Sequence, residues 1–95
     1  MIGIVATIKV KPGAGASFEA IAKELIAKVR ANEPGCKLYV LHRAEAPDTY
    51  VFLERYADAE AVTAHRGSEY FKSLGRKMGD FMAGPPEVLR LTEVE

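Results

Sequence analysis

Hydrophobic residues change their spacing from one segment of this chain to the next, and each spacing predicts an element. Residues 2–11 are apolar at every second position, from Ile2 to Val10, which predicts a β-strand with one apolar face. The stretch KPGAGAS then breaks the strand, because proline and glycine interrupt regular structure. From Phe18 to Val29, apolar residues recur every three or four positions, and this spacing predicts a helix over residues 16–32.

Two further strands are predicted at residues 36–43 and 49–56, separated by the loop AEAPD. A hairpin centred on this loop places the even-numbered side chains of both strands on one face and the odd-numbered ones on the other. Both faces are apolar or aromatic, as the neighbours Phe52 and Leu53 illustrate. Helices can cover only one face, so we predict that the other face packs on a second copy in a homodimer.

The last third of the chain predicts two short helices and a final strand. Asp58 is a suitable N-cap for a helix that carries His65, and a second helix begins near Ser68. The turn GPP ends that helix, and EVLRLTEV supplies the last strand. The order β-α-β-β-α-β predicts an α+β, ferredoxin-like fold over residues 1–95 as a single domain, with a four-stranded antiparallel sheet and helices on one face.

Length and charge limit the classes of partner. Ninety-five residues suffice for one domain, and thirteen basic residues balance thirteen acidic ones. A chain without excess positive charge lacks the field that attracts nucleic acid or anionic lipid, so we expect neither nucleic acid nor a membrane as partner. No apolar run reaches the roughly 20 residues that cross a bilayer, and the N-terminus lacks the basic region of a signal peptide. One cysteine forms no internal disulfide, which fits the cytoplasm as the location.

Several common catalytic motifs are missing from the sequence. It contains no G-x-G-x-x-G after a strand, no phosphate-binding loop, and no C-x-x-C or H-x-x-x-H pair. His42, Glu54 and His65 offer two imidazoles and one carboxylate, but they belong to three elements and show no diagnostic spacing. We therefore predict no metal site.

His65 is the residue on which a functional interpretation depends. On the predicted helix it shares the apolar face with Ala61 and Val62, so its ring should point towards the sheet. One interpretation is a core histidine hydrogen-bonded to a backbone carbonyl or to a carboxylate such as Glu54. The other is a general base in a dry pocket, since imidazole titrates near neutral pH. The residues alone leave both open.

Four stretches together resemble the antibiotic biosynthesis monooxygenase family: VKPG, EPGCKLYVL, FLERYADAEAVTAHRGSEYF and GPPEVLRL. The most specific pieces are E-x-G-C-x-x-Y, which begins at Glu33, and E-x-Y, which begins at Glu54 and is followed by A-x-x-x-H ending at His65. The resemblance implies a dimeric α+β barrel. It also implies an enzyme that oxidises a small phenolic or quinol substrate with molecular oxygen, without metal, flavin or other cofactor.

The same resemblance implies which residues form the site. His65 matches the family's helix histidine and would act as base or hydrogen-bond partner. Tyr70 and Phe71 match the aromatic pair that follows it, and Tyr39 and Glu54 would complete the lining of the pocket. An electron-rich phenolate can itself give an electron to oxygen, so such a protein need supply only a base, a dry pocket and orientation.

Relatives within the resemblance differ in chemistry. Haem-degrading members carry asparagine, tryptophan and an iron-ligating histidine where this chain has Ala6, His65 and Gly75, so haem degradation is not expected. A bacterial isomerase of phosphorylated autoinducer-2 is similar as well, and its chemistry would require a phosphate-binding cluster in addition to the base. The candidates for such a cluster are Arg43, Arg66, Arg76 and Lys77. A non-catalytic dimer that binds a small molecule is the third alternative.

Overall fold

The computed structural model describes all 95 residues, and its elements follow the predicted order. They are β1 (Ile2–Lys9), α1 (Gly15–Asn32), β2 (Cys36–Arg43), β3 (Thr49–Tyr56), α2 (Ala59–Gly67), α3 (Glu69–Gly79) and β4 (Glu87–Thr92). The four strands form one sheet in the order β2-β3-β1-β4, and every neighbouring pair is antiparallel. The prediction of an α+β, ferredoxin-like fold is confirmed.

The hydrophobic core lies between the sheet and the helices, which cover one of its faces. Helix α1 buries the stripe that its three- and four-residue spacing predicts. The buried members of that stripe are Phe18, Ala22, Leu25 and Val29. Alternate residues of β1, from Ile4 to Ile8, are buried on the same side of the sheet, and so is Val10 directly after the strand. None of the helices is long and apolar enough to span a membrane.

A single serine joins the two short helices. The Asp58 side chain accepts a hydrogen bond from the Ala61 backbone N–H at 2.9 Å, which caps α2 as predicted. Ser68 ends α2, because its hydroxyl donates a hydrogen bond to the His65 carbonyl at 2.8 Å. The same hydroxyl accepts a hydrogen bond from the Phe71 N–H at 3.3 Å and thereby caps the start of α3. This reversal places the ring of His65 beside the first turn of α3.

The predicted register of the β2–β3 hairpin is wrong by one residue along most of its length. Cys36 pairs with Tyr56 as expected, but from Leu38 onward odd-numbered residues of β2 pair with even-numbered residues of β3. Lys37 is the extra residue of a β-bulge, and at the other end Asp48 adopts a left-handed conformation with φ of 52°. As a consequence Tyr39 lies opposite Glu54 on the helix-covered face, whereas the predicted register put these two side chains on different faces.

Candidate active site

A cavity of about 380 Å³ lies between the sheet and the short helices, within the size range of small-molecule sites. We call it the His65 cavity. Its floor is formed by the strand residues Ile4, Ala6, Ile8, Tyr39, Phe52 and Glu54. Its wall is formed by the helix residues His65, Arg66, Phe71, Lys72, Gly75 and Met78, and Met82, Pro86 and Val88 complete the lining. Nine of the fifteen lining residues are hydrophobic, so the cavity suits an apolar ring.

His65 enters the cavity from α2 because it lies on the inward face of that helix. Val62 and His65 are the two buried residues of α2, and His65 is only 3% exposed. The ring is surrounded by aromatic side chains at centroid distances of 4.5 Å to Phe71, 5.1 Å to Tyr39 and 5.5 Å to Tyr56. These contacts hold the imidazole in one orientation.

The partner of His65 is Glu33, the residue directly after α1. Nδ1 of His65 lies 3.0 and 3.1 Å from the two carboxylate oxygens of Glu33, and the two side chains are 4% and 9% exposed. The Tyr70 hydroxyl donates a further hydrogen bond to the same carboxylate. Since a carboxylate accepts, Nδ1 carries the proton, and the unprotonated nitrogen of a neutral ring is then Nε2.

Nε2 of His65 is open to the cavity. It forms no hydrogen bond within the chain. Every fully buried side-chain nitrogen or oxygen of this protein does have a hydrogen-bond partner. Nε2 therefore has accessible surface, and the cavity that His65 lines is the space beside it. One side of the ring is fixed by a carboxylate, and the other presents a lone pair to a ligand.

Burial sets the charge state of this group. Desolvation lowers the pKa of His65 below its ordinary value, while the hydrogen bond and charge of Glu33 act in the opposite direction and Arg66 adds a smaller lowering effect. Burial and the bond to Glu33 raise the pKa of Tyr70 to about 12, so the phenol keeps its proton. Near neutral pH the site therefore contains a neutral imidazole, which is the form that can accept a proton.

A second carboxyl group lines the cavity on β3. Glu54 is 8% exposed, and one of its oxygens accepts a hydrogen bond from the Tyr56 hydroxyl at 2.6 Å. Burial raises the pKa of Glu54, whereas the Tyr56 bond and the charge of Arg66 lower it. Burial and the neighbouring Glu54 raise the pKa of Tyr56 well above its usual range, so this tyrosine remains a donor.

The structure brings together four of the five residues that the sequence analysis assigns to the site. His65, Tyr39, Glu54 and Phe71 line the cavity. Tyr70 lies behind the site, where its hydroxyl contacts Glu33 instead of the cavity.

Glu33 was missed as a functional residue, and the carboxylate that binds His65 is this one and not Glu54. Two signals were available in the sequence. Glu33 begins the motif E-x-G-C-x-x-Y, and it places an acidic group at the C-terminal end of a helix, where the helix dipole disfavours negative charge.

A larger groove of about 650 Å³ lies between α1 and β2, and three of its polar groups bind one another. Arg43 donates to both carboxylate oxygens of Glu19 at 2.9 and 2.7 Å, and the Tyr50 hydroxyl donates to Glu19 at 2.5 Å. The bonds from Arg43 and Tyr50 lower the pKa of Glu19 to about 2. These three groups satisfy one another. His42 also lines the groove, but it is exposed and has no carboxylate partner, unlike the buried His65.

The other predicted ligand groups are dispersed. Of the four cations considered for phosphate, only Arg66 lines the His65 cavity, and Arg43 is engaged by Glu19. Nowhere in the chain are three His, Cys, Asp or Glu side chains grouped in a way that could hold a metal ion.

Comparison with known proteins connects this site to a family. The family model described as "Antibiotic biosynthesis monooxygenase" matches residues 1–77. The protein named "Putative monooxygenase YcnE" from Bacillus subtilis (strain 168) is 29% identical over 90 residues, which cover 95% of each chain.

Solved structures give the same result. The crystal structure of "a putative antibiotic biosynthesis monooxygenase" from Caulobacter crescentus CB15 is 47% identical with a TM-score of 0.95, over 99% of this chain and 90% of that one. The structure of Rv0793 from Mycobacterium tuberculosis is 26% identical with a TM-score of 0.90, over 99% of this chain and 95% of the other.

Proposed function

The chain belongs to the antibiotic biosynthesis monooxygenase family, and we propose that it oxidises a small phenolic or quinol substrate with molecular oxygen in the His65 cavity. One observation carries the proposal: the imidazole of His65 is fixed by Glu33 through Nδ1 and presents its open Nε2 to a mainly apolar cavity of about 380 Å³. This arrangement provides a general base beside a space that a small aromatic molecule can fill.

Catalysis begins with transfer of a proton from the substrate. Nε2 of His65 takes the phenol proton, and the imidazolium that forms is stabilised through its Nδ1–H bond to Glu33. The phenolate then gives one electron to oxygen, and the phenoxyl radical and superoxide combine at a ring carbon. The peroxide oxygen regains the proton from the imidazolium. No further reductant is required, because the substrate supplies the electrons.

The hydroperoxide then collapses to product. His65, neutral again, removes the remaining hydrogen of the oxygenated ring carbon as a proton while the O–O bond breaks. The departing hydroxide takes the proton from His65 and leaves as water. One phenol and one oxygen molecule therefore give one quinone and one water, and the base returns to its starting state. The ring of Phe71, 4.5 Å from His65, would stack beside the substrate ring and orient it.

Glu54 and Tyr39 are assigned to binding. The carboxyl of Glu54 is held by Tyr56 and lines the cavity, so it can accept from a second hydroxyl of a quinol. The Tyr39 hydroxyl has no partner in the chain and belongs to a cavity-lining residue, so it can donate to a substrate oxygen. Burial raises the pKa of Tyr39 far above its usual range, which keeps it a donor.

The proposal is tested by oxygen consumption with reduced menadione, measured for wild type and His65→Ala. Removal of a general base typically lowers the rate about 10²- to 10⁴-fold. His42→Ala is the matched control, because this second histidine is exposed on β2 and does not line the cavity. Equal rates in wild type and His65→Ala would remove His65 from the mechanism. Absence of catalysed uptake across a panel of quinols would leave a binding module.

We also propose that two copies pack through the outer faces of their sheets. Val40 pairs with Leu53, Leu53 with Val5, and Val5 with Leu89. An apolar row therefore crosses all four strands on the face that the helices leave open. Leu89, at the β4 end of this row, is 60% exposed, which leaves a large apolar side chain in contact with solvent. An isologous dimer would bury the row on both copies.

A further inference from the structure

The acidic residue of the His65 cavity is buried, whereas its two basic residues are exposed. Glu54 lies at depth, buried and bound to Tyr56. Arg66 and Lys72 also line the cavity, but both are exposed, so they stand where the cavity meets solvent. Neither forms an ion pair or a hydrogen bond with another side chain. The mouth therefore offers two unpaired cations above an apolar interior.

A third cation lies on the cavity side of the sheet but does not line the cavity. Arg90 pairs with Ile4 across the sheet, and paired residues project from the same face, so Arg90 leaves β4 on the cavity side. It too is exposed and forms no ion pair. Two acidic residues flank it along the chain. Glu87 pairs with Thr7 and projects to the outer face, and Glu93 lies beyond the end of β4 and forms an ion pair with Arg55.

We propose that the natural substrate of this site is an anion: a phenol or quinol whose ring enters the cavity and whose carboxylate remains at the mouth between Arg66 and Lys72. The inference rests on the proposed function, which places the phenol oxygen at His65. Guanidinium and ammonium groups both bind carboxylates, and arginine does so with two parallel hydrogen bonds. An apolar wall then receives the ring, and the carboxylate fixes which end of the molecule reaches Nε2.

A matched pair of ligands separates this inference from the proposed function. 2-Naphthol and 6-hydroxy-2-naphthoate share ring and phenol and differ in one carboxylate, and both are titrated by fluorescence without any turnover. Two exposed charge contacts correspond to about 2- to 30-fold tighter binding of the carboxylate by wild type. That preference should disappear, within the error of the titration, in the double variant Arg66→Gln with Lys72→Gln. It should also weaken in high salt.

Lys77→Gln is the control variant, because Lys77 is an exposed cation on α3 that does not line the cavity. It should keep the full preference for the carboxylate. Equal affinities for the two ligands in wild type, no binding of the carboxylate, or a preference that survives the double variant would overturn the inference. Preferred binding of the carboxylate together with unchanged oxygen uptake in His65→Ala would instead overturn the proposed function and leave the anion site standing.

Discussion

Replacing Glu33 by glutamine tests whether the buried carboxylate acts through His65. The amide has nearly the same shape, and it can keep both contacts: its carbonyl accepts from Nδ1–H of His65, and its amino group donates to the Tyr70 oxygen. The substitution therefore removes the negative charge and leaves the geometry in place. We expect a large effect on catalysis and a small one on folding.

The size of the effect follows from the two kinds of hydrogen bond. A bond to a charged group contributes about 1.5–3 kcal/mol, and one between neutral groups about 0.5–1.5 kcal/mol. Loss of the charge thus removes about 1–2 kcal/mol from the stabilisation of the imidazolium as it forms on His65. Since about 1.4 kcal/mol corresponds to tenfold in rate, kcat should fall about 5- to 30-fold.

The assay is oxygen consumption with reduced menadione at pH 7, with the melting temperature measured for every variant. Glu24→Gln is the control, because it makes the same chemical change at an exposed position of α1. The ¹⁵N chemical shifts of the His65 ring report whether Nδ1 stays protonated in Glu33→Gln. A kcat within twofold of wild type, in a variant that keeps its melting temperature and tautomer, would refute the role given to Glu33.

Three further predictions concern the base, the cavity and the assembly. Because burial lowers the pKa of His65 and the neutral ring is the active form, kcat measured against pH should decrease on acidification with a midpoint below the ordinary imidazole value of about 6.5. Gly75→Leu should abolish substrate binding, because the new side chain enters open space at the cavity wall. The same substitution should stabilise helix α3 by about 0.5–1 kcal/mol. Gly79→Leu is the control and should keep binding, because Gly79 does not line the cavity. Leu53→Lys should convert a dimer into a monomer in sedimentation velocity, whereas an unchanged sedimentation coefficient would argue against the outer sheet face as the interface.

The order of elements was predictable because breakers separate them and each apolar spacing matches one kind of structure. The face of the sheet on which Tyr39 lies was not predictable. Alternation within a strand defines two faces but does not say which of them meets the helices. That choice depends on the left-handed residue Asp48 in the hairpin loop and on the bulge at Lys37, and both are local backbone conformations. A shift of one residue transfers Tyr39 from the outer surface to the cavity.

The composition of the site was predictable only in part, for a different reason. His65, Tyr39, Glu54 and Phe71 could be assigned to it through the resemblance, which marks positions along the chain. Glu33 lies 32 residues before His65, and its side chain reaches the ring only because α1 ends beside α2. Spacing along a sequence does not encode such a contact between elements. The acidic residue at the unfavourable end of α1 was the one physical sign that Glu33 has a partner.

Substitution of both Glu33 and His65 tests whether this buried pair is retained for function or for the fold. Replacement of both partners of a buried hydrogen bond by apolar groups of the same shape is nearly neutral, whereas removal of one partner leaves the other unsatisfied and costs about 1–3 kcal/mol, or more where the remaining group is charged. We therefore expect His65→Leu alone to lower the stability in urea unfolding, and His65→Leu with Glu33→Met to restore it, while both variants lose oxygen uptake. A double variant as unstable as the single one would mean that the pair is retained for the fold. Recovery of stability without activity would mean that a stable core did not require this imidazole, and that the open Nε2 is retained for the substrate.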